Sequence, residues 1–438
     1  MKLAHILALA LALSFASSVF ATQSRVESMG KRPAFFLDDI TIFDNPANAT
    51  FYSSALMGEL GFYKMNTLGP DDVGTNKDPL TPWFGALFKF GLSDKDMRDP
   101  QITIGGFLGR EHYNFTRFVP RKVVVGGDTV PIPQSITNFD AFLAGTMVDG
   151  SAVGAHVYVG IQDGKQDAPG GDPAQGHLTP SAHVSILSMD YGANFLVTNQ
   201  SSIEVTLSVA RIQYGPSRKS FLDPGLFSFH SQGRLFIDFD FLGGQIVSGY
   251  KLAAMEVPGW EENLYGINLG LNVVIPRGLF WIGLDGVQLK EKVGTWDRVS
   301  DEDEGSYLIY REPGSLEKYR HDRSTRIGSI VSFGVERNIW SEFLTIRVGG
   351  QKGFMYNTCY NGSGKNTICG AKKGSKTNFW STNPYADGTM EDHVGFGFGV
   401  NIEDKLKIDM SIAEDFFFRN PFQGEGRLIS RISAVYSF

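Results

Sequence analysis

The sequence predicts an all-β fold, a transmembrane antiparallel β-barrel of about 14 to 16 strands, and three observations predict it. Apolar and polar residues alternate with a period of two over runs of about 10 to 13 residues, longer than the usual 5 or 6 of a globular strand. Short and long joins alternate between those runs. The chain also ends on an alternating apolar strand whose last residue is Phe438.

Composition agrees and excludes other classes. The 438 residues carry 40 Lys and Arg against 47 Asp and Glu, a net charge of -7. With 42% hydrophobic and 20% charged residues, neither disorder nor a basic nucleic-acid-binding surface is expected, and no nucleic-acid partner. The 51 Gly, 34 Phe and 15 Tyr suit strands and turns better than helices. Two Cys are too few for a disulfide scaffold or a cysteine-built zinc site, and no cofactor or metal is expected.

From the N-terminus, Met1-Lys2 precedes an apolar run from Leu3 to Phe20, and Val19-Phe20-Ala21 fits a small-residue cleavage site. Residues 1–21 therefore read as a secretory signal peptide. No later segment approaches about 18 uninterrupted apolar residues, so the expected membrane crossings are strands. Residues 22–54 are assigned to an N-terminal periplasmic or plug segment and residues 55–438 to the barrel.

Alternation places Val153, Ala155, Val157, Val159 and Ile161 opposite Gly154, His156, Tyr158 and Gly160. Tyr265, Ile267, Leu269, Leu271, Val273 and Ile275 stand opposite Gly266, Asn268, Gly270 and Asn272. Val394, Phe396, Phe398, Val400 and Ile402 form the next greasy face, and after a hairpin turn at Glu403-Asp404 come Leu406, Ile408, Met410 and Ile412. The opposing residues would be costly in a packed core but are ordinary in a polar lumen.

Short joins fall near Ser93 to Pro100, Asp149-Gly150, Asn199 to Ser201, Leu242-Gly243, Pro276-Arg277, Asn338 to Glu342 and Glu403-Asp404. Long ones fall near Asn66 to Thr81, Thr116 to Thr137, Gly164 to Ala182, Gly215 to His230, Val257 to Glu262, Lys292 to Arg323, Tyr356 to Glu391 and Asp415 to Gly426. Short periplasmic turns and long outside loops give about 16 strands with both termini periplasmic, and a band of outer-membrane lipid around the wall. Leu56 to Met65 carries the weakest strand signal.

Arg234, Asp238, Asp240, Arg326, Glu336, Arg347, Lys405, Lys407, Asp409 and Arg431 fall opposite apolar positions and are expected to face the lumen. Mixed signs suit a polar pore, or a plugged barrel whose charges neutralise one another. Lys405, Lys407 and Arg431 on adjacent strands would form a local basic strip that prefers anions.

Counting back in twos from the terminus puts Phe438, Tyr436, Ala434 and Ile432 on one face. This resembles the C-terminal signature of bacterial outer-membrane proteins, which implies the barrel-assembly machinery as a partner. Cys359 and Cys369 share the loop from Tyr356 to Glu391, where an oxidising compartment favours a disulfide contributing about 2 to 3 kcal/mol.

An enzyme is not expected. His112, His156, His177, His183, His230, His321 and His393 show no accompanying serine and aspartate pattern, and Asp301-Glu302-Asp303-Glu304 lacks the spacing of a calcium loop.

Asp38-Asp39, followed by Phe43-Asp44-Asn45-Pro46-Ala47, resembles the element near the start of barrels of the fatty-acid transporter (FadL) superfamily, which includes the PorV-type proteins of type IX secretion. The resemblance implies that Asp38, Asp39, Asn45, Pro46 and Ala47 belong to a plug inside the barrel. It further implies passive transport of small hydrophobic or amphipathic solutes, with a scaffold or shuttle for secreted proteins, or a general polar porin, as alternatives. An apolar pocket lined by Phe35, Phe36 and Phe43 would favour transport.

Overall fold

The computed structural model describes residues 23–30, 33–36, 38–61, 82–91, 100–110, 112, 122–125, 128–131, 137–147, 149–165, 181–198, 200–215, 227–239, 243–257, 260–293, 298–301, 305–310, 323–340, 343–360, 366–368, 393–403, 405–412 and 428–438. The leader, Asp240, Cys369 and the side chains of Cys359 and Arg326 lie outside the described residues.

The N-terminal segment holds two short helices, α1 (Gln23–Ser28) and α2 (Thr41–Asp44), and 3-10 turns at Pro33–Phe35 and Pro46–Phe51. The strands are β1 (Ala55–Gly61), β2 (Trp83–Gly91), β3 (Gln101–Leu108), β4 (Lys122–Val125), β5 (Asp128–Pro131), β6 (Thr137–Thr146) and β7 (Ala152–Lys165). They continue as β8 (Ser181–Thr198), β9 (Ser201–Gly215), β10 (Phe227–Phe239), β11 (Gly244–Val257), β12 (Trp260–Ile275), β13 (Gly278–Val293) and β14 (Arg298–Asp301). The last are β15 (Gly305–Tyr310), β16 (Arg323–Trp340), β17 (Leu344–Tyr360), β18 (Asn366–Ile368), β19 (His393–Ile402), β20 (Leu406–Ile412) and β21 (Ile429–Ser437). Among the described residues no helix is long and apolar enough to cross a membrane.

Sixteen strands close into an antiparallel barrel in the ring order β1, β2, β3, β6 to β13, β16, β17, β19, β20, β21. The seam joins β21 to β1, with Ala55 opposite Ser437 and Gly61 opposite Arg431. Closure matters physically because an open edge of unpaired peptide groups cannot sit in hydrocarbon. The sequence alternation maps onto the wall as expected. Val153, Tyr265, Ile267, Leu269 and Val394 point outward and are exposed, while His156, Tyr158, Asn272 and His393 point inward and are buried. Outward Phe84, Phe88, Leu143, Leu207, Leu284 and Phe333 continue the apolar band that lipid would cover.

The long-loop pattern needs one correction. Val257 pairs directly with Trp260, so β11 and β12 form a tight outer hairpin where a long loop is expected; Pro258-Gly259 is itself a turn dipeptide. Two other outside connections build a second, four-stranded sheet in the order β14, β15, β4, β5. Here β4, from the β3 to β6 connection, pairs with β15, from the β13 to β16 connection. These connections leave the ring eight strands apart, on opposite sides of the barrel, so the small sheet links the two sides outside the wall.

The interior is also less uniformly polar than the alternation suggests. Inward Leu87, Phe107, Phe142 and Val435 join Ile42, Tyr52 and Met57 in one apolar core, and Trp281 joins Val26, Met29, Phe35 and Phe36 in another. Both cores join wall residues to the N-terminal segment, the first mostly from the wall and the second mostly from the segment. The wall turns apolar where that segment docks.

Candidate functional site in the barrel lumen

The segment before β1 lies inside the barrel and touches its wall on several sides. Helix α1 meets β17, β19, β20 and β21; the turn at Pro33–Phe35 meets β12 and β13; the turn at Pro46–Phe51 meets β3, β6, β7 and β8. Residues 23 to 54 are too short and too weakly helical to fold alone, and wall contacts must supply the stability that one-turn helices lack.

Asn45, Pro46 and Ala47 dock at a cross-strand glycine pair. Asn45 caps the turn by accepting from the Ala47 N–H at 3.1 Å, and its amide donates to the Ala193 carbonyl at 3.3 Å. Beneath them Gly154 of β7 and Gly192 of β8 are register partners. A Cβ on Gly154 would strike the Pro46 and Ala47 backbone, and one on Gly192 the Asn45 side chain. Phe35 lies in the same manner on the paired Gly270 and Gly283, stacked on Trp281 at 5.3 Å.

An ionic belt surrounds α1. Arg25 donates through Nε to Glu336 at 2.8 Å and lies 3.4 Å from Asp38. Glu27 accepts from Ser411 at 2.8 Å and pairs with Arg431 at 3.3 Å, and its main-chain carbonyl meets His393 Nε2 at 2.7 Å. Arg431 also pairs with Glu59, which accepts from Ser433 at 3.0 Å. Arg347 joins Glu336 to Asp409.

Burial pushes the Asp38 carboxyl up to about 7 against the pull of Arg25. Asp39 is driven well above the usual carboxylate range, first by burial and then by Asp38. Neither Asp39 carboxylate oxygen has a hydrogen-bond partner among the described residues, which fits a neutral acid. Asn45, Pro46 and Ala47 thus anchor the turn, whereas Asp38 and Asp39 sit beside the belt.

The lumen residues read from the alternation separate into three groups. Arg234 is buried against Glu204 at 2.8 Å, and Arg347 and Asp409 are buried together. Asp238 holds the inward parity but lies at the exposed end of β10, accepting from Gln245 at 2.7 Å. Lys405 departs from expectation: it is exposed in the turn before β20, because the strand begins only at Leu406. The basic strip is corrected with it, since Arg431 is neutralised by Glu27 and Glu59, and Lys407 lies in the field of Asp409 and Glu336.

A second cluster lies on β6, β7 and β8, the strands that meet the turn at Pro46–Phe51. His156 lies between two carboxylates, Nε2 at 2.7 Å from Asp140 and Nδ1 at 2.6 Å from Asp190. Carboxylates only accept, so this geometry suits an imidazolium donating from both nitrogens. Arg110 bonds Asp140 through Nε at 3.1 Å and holds its guanidinium 3.9 Å from the centre of the Phe43 ring. The signal was present: His156 and Asp140 both occupy inward positions of alternating strands. Their meeting across neighbouring strands depends on a register that sequence period leaves open.

On the wall's outer face, Ile432, Ala434, Tyr436 and Phe438 share the outward parity, and Phe438 packs against Phe88 at 6.0 Å. No grouping of three or more His, Cys, Asp or Glu suited to a metal occurs among the described residues.

Closure, an apolar outer band and an inward N-terminal segment define an outer-membrane type of β-barrel. No family model matches the chain, and no curated protein does. Among solved structures it is similar to the Pseudomonas putida toluene transporter TodX, at 11% identity over 95% of this chain and 97% of that one, TM-score 0.38. It is similar to the CymD monoaromatic hydrocarbon channel at 10% identity over 95% and 97%, TM-score 0.39. CdiB from Escherichia coli matches at 8% identity over 88% of this chain and 63% of that one, TM-score 0.42.

Proposed function

We propose that this barrel, exported through the leader at 1–21 and assembled through its terminal strand, is a non-catalytic passive route for small hydrophobic or amphipathic solutes across a bacterial outer membrane. The carrying observation is the aromatic packing of the N-terminal segment against the wall. Phe35 and Phe36 lie on Trp281, and Phe43 lies among Phe107, Phe142 and Trp83. Such aromatic seats flanked by neutralised charges suit apolar cargo better than hydrated ions. No prosthetic group is needed for this role.

Single-channel recording in a planar bilayer tests the reading, together with uptake of labelled octanoate and toluene by cells expressing the protein. Sparse or no conductance with expression-dependent uptake is expected. Steady large openings would instead mean an open polar porin. A second reading, a scaffold for secreted or surface proteins, draws support from the small sheet outside the wall; silence in both assays with a co-purifying protein would favour it.

A further inference from the structure

The lipid-facing side of the wall changes character near the outer end of β12, β13 and β16. On β13, Phe280, Ile282, Leu284 and Lys290 share the outward face, and Ile282, Leu284 and Lys290 are exposed. Lys290 stands ten residues beyond Phe280, at the end of β13 from which the connection to β14 leaves. At about 3.3 Å per residue and a tilt of about 40°, that spans about 25 Å, the height of a barrel's apolar band. Lys290 therefore lies at the outer boundary between lipid and water, where a wall cation costs little.

Its neighbours on that face are polar and in register. Asn263 of β12 lies opposite Lys290 on one side and Thr325 of β16 on the other, so three polar residues form a row about 10 Å wide. The Lys290 ammonium rests 5.6 Å from the centre of the Tyr265 ring, a cation–π contact that holds it against the wall. No carboxylate pairs with Lys290 among the described residues. The next row outward sets Lys292 in register between Glu261 and Arg323. Across the two rows, the basic positions Lys290, Lys292 and Arg323 thus face a single acidic one, Glu261. On the membrane side of the polar row, Ile267, Leu269 and Ile327 point outward and are exposed.

We propose that Lys290, with Asn263 and Thr325, binds a phosphate of a lipid A headgroup in the outer leaflet, whose acyl chains lie on Ile267, Leu269 and Ile327. A phosphate supplies the negative charge that this face lacks, and ammonium, amide and hydroxyl donors suit its oxygens. Lipid A carries two phosphates on one rigid disaccharide, which matches a face with several cations better than a phospholipid with one. This goes beyond the transport reading, since the site faces lipid and not the lumen and stands whether or not a solute passes.

Native mass spectrometry of the detergent-purified protein with added diphosphorylated lipid A tests this. K290Q, with heat-modifiable mobility confirming the fold, should bind about fivefold more weakly, the attraction that one lysine near an anionic headgroup supplies. K290R should bind like the wild type, and so should K405Q, which removes an exposed cation from the other end of the wall. Lipid A stripped of both phosphates and phosphatidylglycerol should each bind more weakly than diphosphorylated lipid A by about fivefold or more. Equal binding by K290Q, or of the stripped lipid, overturns the phosphate site. A loss in K405Q as large as in K290Q overturns it too, because the attraction would then be diffuse charge. Equal binding of phosphatidylglycerol overturns the assignment to lipid A. Solute uptake should be unchanged in K290Q, so failure of the transport reading and failure of this site are read separately.

Discussion

Arg347 on β17 reaches Asp409 on β20 at 2.6 Å, passing over the intervening strand β19. The bridge fits because Gly399 lies beneath it: a Cβ there would sit 2.6 Å from Asp409 Oδ1 and 2.7 Å from an Arg347 terminal nitrogen. Arg347 also bonds Glu336, which carries Arg25 of the plug. One wall cation thus links three strands and, through Glu336, the N-terminal segment.

Replacing Arg347 by Met should remove the cation beside the buried Asp409, while Glu336 keeps Arg25, and cost about 3 to 5 kcal/mol of barrel stability. D409N should cost less, because Arg347 keeps Glu336. Urea unfolding in lipid vesicles checks the order, and equal losses would mean that the bridge over Gly399 carries little energy.

Plug docking should weaken as pH rises. The Asp38 carboxyl is pushed up by burial to about 7 from 3.8, so the docked state binds its proton more tightly than the undocked state. Linkage then makes docking strongest below about pH 4 and lowers it through about pH 7, by at most about 1.4 kcal/mol per pH unit for one proton. Asp39 shifts the same way. Hydrogen exchange of the α1 amides should show this slope; D38N should reduce it and D38N/D39N abolish it.

Valine at Gly154 or Gly192 should lift Asn45, Pro46 and Ala47 from their seat, at a cost of about 1 to 3 kcal/mol. The barrel wall should survive, seen as retained heat-modifiable mobility. Planar-bilayer recordings should gain openings that the wild type lacks. Unchanged recordings would mean that the turn is not what closes the lumen.

Val124 and Leu308 are register partners in the small sheet, although their connections leave opposite sides of the barrel. Cysteines at both positions, in a chain carrying C359S and C369S, should oxidise to an internal crosslink visible as a mobility shift reversed by reductant. If none forms, the two connections do not meet.

Period two made the wall legible in the sequence, because a strand between lipid and lumen sorts its side chains strictly by face. Val394 and Lys407 could be placed on opposite faces from local pattern alone, and Tyr436 and Phe438 could be set toward lipid. Lys405 was misplaced by that logic because alternation does not say where a strand begins. His156 read as an unaccompanied histidine because its partners Asp140 and Asp190 lie on the strands to either side.

By itself, then, the sequence determined the barrel class and the facing of most residues, since these follow from one-dimensional period and from the solvent on each face. Only the tertiary structure decided which inward charges neutralise which, that Gly154 and Gly192 meet under Pro46, and that four wall groups close around Phe43. Those relationships depend on inter-strand register and ring closure, which bring together residues tens to hundreds of positions apart and leave no periodic trace along the chain.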